Sequence, residues 1–173
     1  MRLTDYTDYT LRVLMFCAMH PERSVTIGEL AQSHAISKNH LMKIVNNLAR
    51  EGLLQTTRGR GGGLRLLKNA AEIRIGDVVR LTETDFRMVE CFDASSNACT
   101  LIAHCQLKQV FWFALQSYMA ELDKVTLADI APAVSSDEQA GTHPFSRIPI
   151  SAITRAVVEP PAPAKRIKSV KSA

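Results

Sequence analysis

The run Ser37-Lys38-Asn39-His40-Leu41-Met42-Lys43-Ile44-Val45-Asn46-Asn47-Leu48 decides the fold. Leu41, Ile44, Val45 and Leu48 recur at i, i+3, i+4 and i+7, one apolar stripe on a helix. Ser37 is of the type that caps a helix start, and Gly52 is of the type that ends one, so a helix is predicted over 38–51. Its other face carries Lys38, Asn39, His40, Lys43, Asn46, Asn47 and Arg50, nearly all able to donate a hydrogen bond. Upstream, Thr26 and Glu29 have the spacing of a capping box and predict a short helix over 27–33, joined to the next by the turn His34-Ala35-Ile36. Downstream, Leu53 to Thr57 and Leu64 to Leu67 flank Arg58-Gly59-Arg60-Gly61-Gly62-Gly63, which reads as a β-hairpin. Helix, turn, helix, hairpin is the order of a winged helix-turn-helix. The expected fold class is mostly α with a small β-hairpin wing.

Working outward, residues 6–20 read as a first helix with Leu11, Leu14, Met15 and Ala18 at helical spacing, ended by Pro21. Cys17 in that helix reads as a small core residue. A further helix is expected over 73–83, with Ile75, Val78, Val79 and Leu81 turned inward. Residues 84–104 have no period and read as loop. From Cys105 the period returns through Leu107, Val110, Phe111, Ala114, Leu115, Tyr118, Met119 and Leu122, predicting a helix about 28 Å long. That stripe exceeds what a small winged domain can cover, so packing against a second chain is expected; the alternative is a core helix within one chain. Six of the seven prolines follow Ile130, and that tail reads as flexible. The expected organisation is therefore a DNA-binding domain over 1–83, a cysteine loop over 84–104, a dimerisation helix over 105–130 and a Pro/Ala/Lys-rich tail over 131–173.

Composition narrows the function. At 173 residues, 46% apolar and 22% charged, usage is that of a globular protein. No apolar run approaches the ~20 residues of a membrane helix, and the start lacks the apolar stretch of a signal peptide, so a cytoplasmic protein without membrane contact is expected. Aromatics are 6%, too few for a platform that stacks single-stranded bases. Residues 34–68 hold seven Lys or Arg against one acid, while 69–130 hold five against nine. A basic segment in an otherwise neutral-to-acidic body points to a polyanion surface, here double-stranded DNA. Ser37, Lys38, Asn39, His40 and Lys43 sit at the end of a recognition helix that reaches base edges. Arg58 and Arg60 would enter the minor groove or grip phosphates, with Gly61 and its neighbours letting the backbone come close. The glycine run lacks the lysine and hydroxyl of a phosphate loop, which disfavours nucleotide binding. No acid/base pair or activated nucleophile suggests an enzyme.

Three of the four cysteines form Cys91-x7-Cys99-x5-Cys105. Three soft thiolates at loop spacing suit an iron–sulfur cluster or zinc, and unligated thiols are the remaining alternative. A missing or weak fourth ligand suits a sensor better than a structural site.

These residues resemble the winged-helix iron–sulfur transcription regulators, most closely their nitric-oxide-sensing members. The likeness runs through Met1-Arg2-Leu3-Thr4, Thr7-Asp8-Tyr9, Leu11-Arg12, residues 37–48, Arg58-Gly59-Arg60-Gly61-Gly62-Gly63, Ile73 to Arg80 and Cys105 to Gln109, and spans about residues 1–130. The resemblance implies a homodimeric repressor joined by its long C-terminal helices, binding AT-rich inverted repeats and releasing nitric-oxide detoxification genes when nitric oxide arrives. It implies a cluster ligated by Cys91, Cys99 and Cys105, [4Fe-4S] rather than [2Fe-2S], with Asp8 of the other subunit as fourth ligand. The alternatives are a regulator of the same fold that senses iron–sulfur supply or thiol redox state, and a small electron-transfer or delivery protein that carries a cluster.

Overall fold

The computed structural model describes residues 2–59, 61–93, 95–101 and 105–131. Helix α1 (Asp5–Met19) starts where the Thr4 hydroxyl accepts the Thr7 amide, with Asp5 and Asp8 in the first turn, where negative charge complements the helix dipole. Its buried stripe is Thr7, Thr10, Val13, Leu14, Cys17 and Ala18. Leu11 and Met15, expected inside, are only half-buried, because the helix is turned so that two threonines face the core. Thr7 is accommodated by donating to the Thr82 hydroxyl at 2.9 Å.

Helix α2 (Ile27–His34) begins in the expected capping box: the Glu29 amide donates to the Thr26 hydroxyl at 3.1 Å, and the Thr26 amide to the Glu29 carboxylate at 2.7 Å. Ala35 ends it in the left-handed region, φ 55°. Helix α3 (Lys38–Arg50) follows at once, capped by Ser37, and buries Leu41, Ile44, Val45 and Leu48 as the periodicity requires. Strands β1 (Leu54–Thr57) and β2 (Gly63–Leu66) pair antiparallel, Leu54 opposite Leu66 and Thr57 opposite Gly63. Val25 bridges to Leu64 on the far side of β2, tying the hairpin to the start of α2. Two of the wing glycines are required by the hairpin's own packing: a Cβ at Gly62 would stand 2.2 Å from the Thr57 carbonyl oxygen, and one at Gly63 2.7 Å from that of Val25.

Helix α4 (Ile75–Thr82) starts two residues later than expected. Ile73 and Arg74 are taken up in an extended bridge, with the Ile75 amide donating to Val125 O and the Leu127 amide to Ile73 O. Its buried stripe is Ile75, Val78, Val79 and Thr82, so Leu81, expected inside, faces outward. Thr82 can replace it in the core because its hydroxyl donates to Val78 O at 2.8 Å and accepts from Thr7. The helix read from Cys105 is α5 (Leu107–Asp123), and the segment 105–130 also holds α6 (Leu127–Ile130), with its own capping box of Thr126 and Asp129. Helix α1 packs on α3, α4, α6 and β2, and α5 packs on α4. No helix among the described residues is long and apolar enough to cross a membrane. The tail from residue 132 and Arg60 lie outside the described residues.

Candidate nucleic-acid interface and metal centre

The stripe that buries α3 leaves its other side free. Lys38, Asn39, Met42, Lys43 and Asn46 are exposed on it, and they fall on one face at 100° per residue. Lys38, Lys43 and Arg58 make no ion pair among the described residues. Uncompensated cations beside amides form a surface suited to phosphates and base edges. Ser37 uses its hydroxyl to accept the His40 amide at 3.3 Å. The His40 ring stands edge-on to Tyr9 of α1, centroids 5.3 Å apart, so it is partly engaged by its own fold. Met42, 43% exposed, belongs to the same face and was not singled out from the sequence.

Asp8, one turn into α1, pairs with Arg12 at 2.7 Å, both side chains nearly half exposed. The Arg12 guanidinium lies 5.8 Å above the Tyr9 ring. A continuous line of contacts therefore runs from Asp8 through Arg12 and Tyr9 to His40 in the first turn of α3. Nearby, a ring nitrogen of His34 is buried with no hydrogen-bond partner among the described residues. Burial and the Arg12 charge push its pKa down, against a smaller upward pull from Asp8. Glu83 secures the same end of α1, accepting from the Thr4 amide at 2.7 Å and the Thr4 hydroxyl at 3.1 Å.

The thiols fall into two groups. Cys17 is 2% exposed, and burial pushes its thiol up to about 12, which makes it a poor ligand. Cys91, Cys99 and Cys105 are free and half-buried. Cys91 lies in a 3-10 turn, Glu90–Phe92; the segment around it is built by polar side chains. Asp93 accepts the Ser95 amide at 2.9 Å, the Ser95 hydroxyl at 2.6 Å and the Ser96 hydroxyl at 2.9 Å, and pairs with Arg87, which also grips Asp85. These bonds, the Ser95 hydroxyl foremost, hold the Asp93 carboxyl far below the usual carboxylate range. Such a D-x-S-S turn has a sequence signature in its aspartate and serines; the role of Arg87 has none.

Three reduced, accessible thiols are the donor chemistry an iron–sulfur cluster takes. Among the described residues, no three His, Cys, Asp or Glu side chains are gathered tightly enough to hold a single metal ion. A cluster spreads its ligands over several iron atoms and needs no such convergence on one point. A cavity of about 560 Å³ is lined by Phe92, Lys108, Gln109, Trp112 and Phe113. Leu107, Val110, Trp112 and Phe113 of α5 are all more than half exposed, as is Leu101. The long apolar stripe of α5 is thus divided: Leu115 and Met119 are buried within the chain, while a second strip faces outward.

The chain is similar to known proteins in sequence and in fold. The chain is 51% identical over 131 residues to the HTH-type transcriptional regulator NsrR of Bacillus subtilis strain 168, spanning 75% of this chain and 90% of that protein. It is 47% identical to the regulator of the same name from Geobacillus kaustophilus, with 75% and 89% covered. Among solved structures, it superposes on Staphylococcus aureus CymR in its oxidized form with a TM-score of 0.62, at 24% identity over 79% of this chain and all of that one. On T. potens IscR the TM-score is 0.61, at 23% identity, with 75% and 85% covered. At such identities the structural likeness speaks for the fold, whereas the NsrR sequences speak for a DNA-binding transcriptional regulator. Residues 3–133 match the Rrf2 family, described as iron-dependent transcriptional regulators, and the chain belongs to that family.

Proposed function

We propose that the protein is a cytoplasmic, homodimeric repressor that responds to nitric oxide through an iron–sulfur cluster, [4Fe-4S] in preference to [2Fe-2S]. Cys91, Cys99 and Cys105 would hold the cluster, and Asp8 of the partner subunit would complete it. The exposed α5 strip around Val110 and Phe113 would join the two copies, setting their α3 helices at half-sites about 34–36 Å apart. Lys38, Asn39 and Lys43 would read base edges, Met42 would touch a thymine methyl, and Ser37, His40, Arg58, Arg60 and Gly61 would flank them along the backbone.

When bound, the cluster supplies iron that nitric oxide attacks. The protein's part is the line from Asp8 to His40, the observation that carries this reading. A carboxylate drawn away from Arg12 leaves that guanidinium to its contact with Tyr9, and Tyr9 bears on the first turn of α3. The state of Asp8 is thereby felt where base contacts worth about 1–3 kcal/mol each are made. Half-exposed thiols also suit a sensor of iron supply or thiol oxidation on the same fold.

Iron and sulfide analysis of anaerobically purified protein tests the proposal. Cys99→Ser should lose both iron and sulfide, and Asp8→Ala should keep iron but change the visible spectrum. Unchanged content in Cys99→Ser refutes the ligand assignment. Operator release by nitric oxide at lower exposure than by oxygen or an iron chelator separates the nitric-oxide reading from the sensor of supply or redox state.

A further inference from the structure

Seven residues separate Cys91 from Cys99, enough for the two thiols to move independently unless the chain between them is closed. One contact closes it. The Glu90 carboxylate accepts the Ala98 amide at 2.7 Å, and these two residues immediately precede the two cysteines. Inside that ring, Asp93 gathers Ser95 and Ser96. The Phe92 amide donates to Val89 O and the Asp93 amide to Glu90 O, while the Cys99 amide donates to the Asn97 side chain at 3.2 Å. Every cross-link is polar and none involves a thiol, so the sulfur atoms stay available for ligation.

We infer that Glu90 is a positioning residue. By holding Ala98 it fixes the backbone at Cys91 and Cys99 in a common register before any metal arrives. This rests on the reading of those cysteines as ligands and adds the group that presents them. A side chain that orients ligands without touching the metal typically contributes about 10–100-fold to affinity. Glutamine preserves the acceptor oxygen and alanine removes it.

The test is an anaerobic titration of the full-length apo-protein with Fe²⁺ in excess sulfide, read by the visible absorption of iron–thiolate bonds, alongside thermal unfolding of each variant. Glu90→Ala should need about tenfold more Fe²⁺ for half-maximal assembly with an unchanged unfolding midpoint, and Glu90→Gln should bind close to the wild-type level. Equal binding by Glu90→Ala overturns the inference while leaving the ligand assignment intact. Glu90→Gln as weak as Glu90→Ala also overturns it, because the acceptor would still be present. A wild-type chain that assembles no centre containing iron and sulfide overturns the ligand assignment, and this inference with it.

Discussion

Cys17 and Cys91 mark two differently built regions. Around Cys17, α1 lies against α3 and α4 with Val13, Leu14, Leu41, Ile44 and Leu48 all but inaccessible, and close packing gives each residue its place. Around Cys91 nothing is fully buried between Glu83 and Leu101 among the described residues. There the chain is stitched by Asp85, Arg87, Glu90 and Asp93. Packing fixes a surface that must present the same face to DNA each time. Polar stitching orders a loop without covering its sulfur atoms, leaving them open to ligation and to small molecules.

Thiol chemistry sharpens that contrast most. With its thiol pushed up to about 12, Cys17 holds only about one part in ten thousand as thiolate at pH 8, and it is shielded as well. Iodoacetamide should modify Cys91, Cys99 and Cys105 of the folded apo-protein at least about a thousandfold faster than Cys17, as read by mass spectrometry. Comparable rates would mean that the two regions do not differ. Leu41→Ala should destabilise the protein by about 2–5 kcal/mol in chemical denaturation, whereas Asp93→Ala should leave the transition in place. A large loss from Asp93→Ala would show that the loop belongs to the cooperative core.

Glu83 joins the regions, and its effect is the smallest. Burial pushes its carboxyl up, but hydrogen bonds from Thr7 and Thr4 outweigh burial and hold it below the ordinary value of 4.5. A carboxylate lowered in the folded state stabilises above its unfolded range, and that contribution fades as pH falls through the folded value. Glu83→Gln should therefore cost about 1 kcal/mol at neutral pH and progressively less towards pH 3. A cost that stays constant across that range would contradict the assignment.

What could be read from the chain follows the same divide. Capping and period located α2 and α3 because both signals are local: Thr26 with Glu29, Ser37, and the Leu41 to Leu48 stripe. The periodicity starts α4 too early because Ile73 and Arg74 pair with a segment some fifty residues away. Periodicity favours Leu81 for the core because a threonine is a poor core residue until its hydroxyl finds partners, and those of Thr82 come in part from α1. The break between α5 and α6 did have a signal, the Thr126-x-x-Asp129 box. The cysteines stand out by residue type and Asp8 only through the family resemblance, while the Asp8–Arg12–Tyr9–His40 line crosses two helices and has no signature in either.

The most direct trial is operator binding by one anaerobic preparation of the full-length protein on an AT-rich inverted repeat at fixed salt, before and after nitric oxide, with random duplex as reference. Tight, footprinted binding that falls to the random-duplex level after nitric oxide is the predicted result. Equal operator affinity in both states, or in iron-loaded and iron-free protein, would contradict the account.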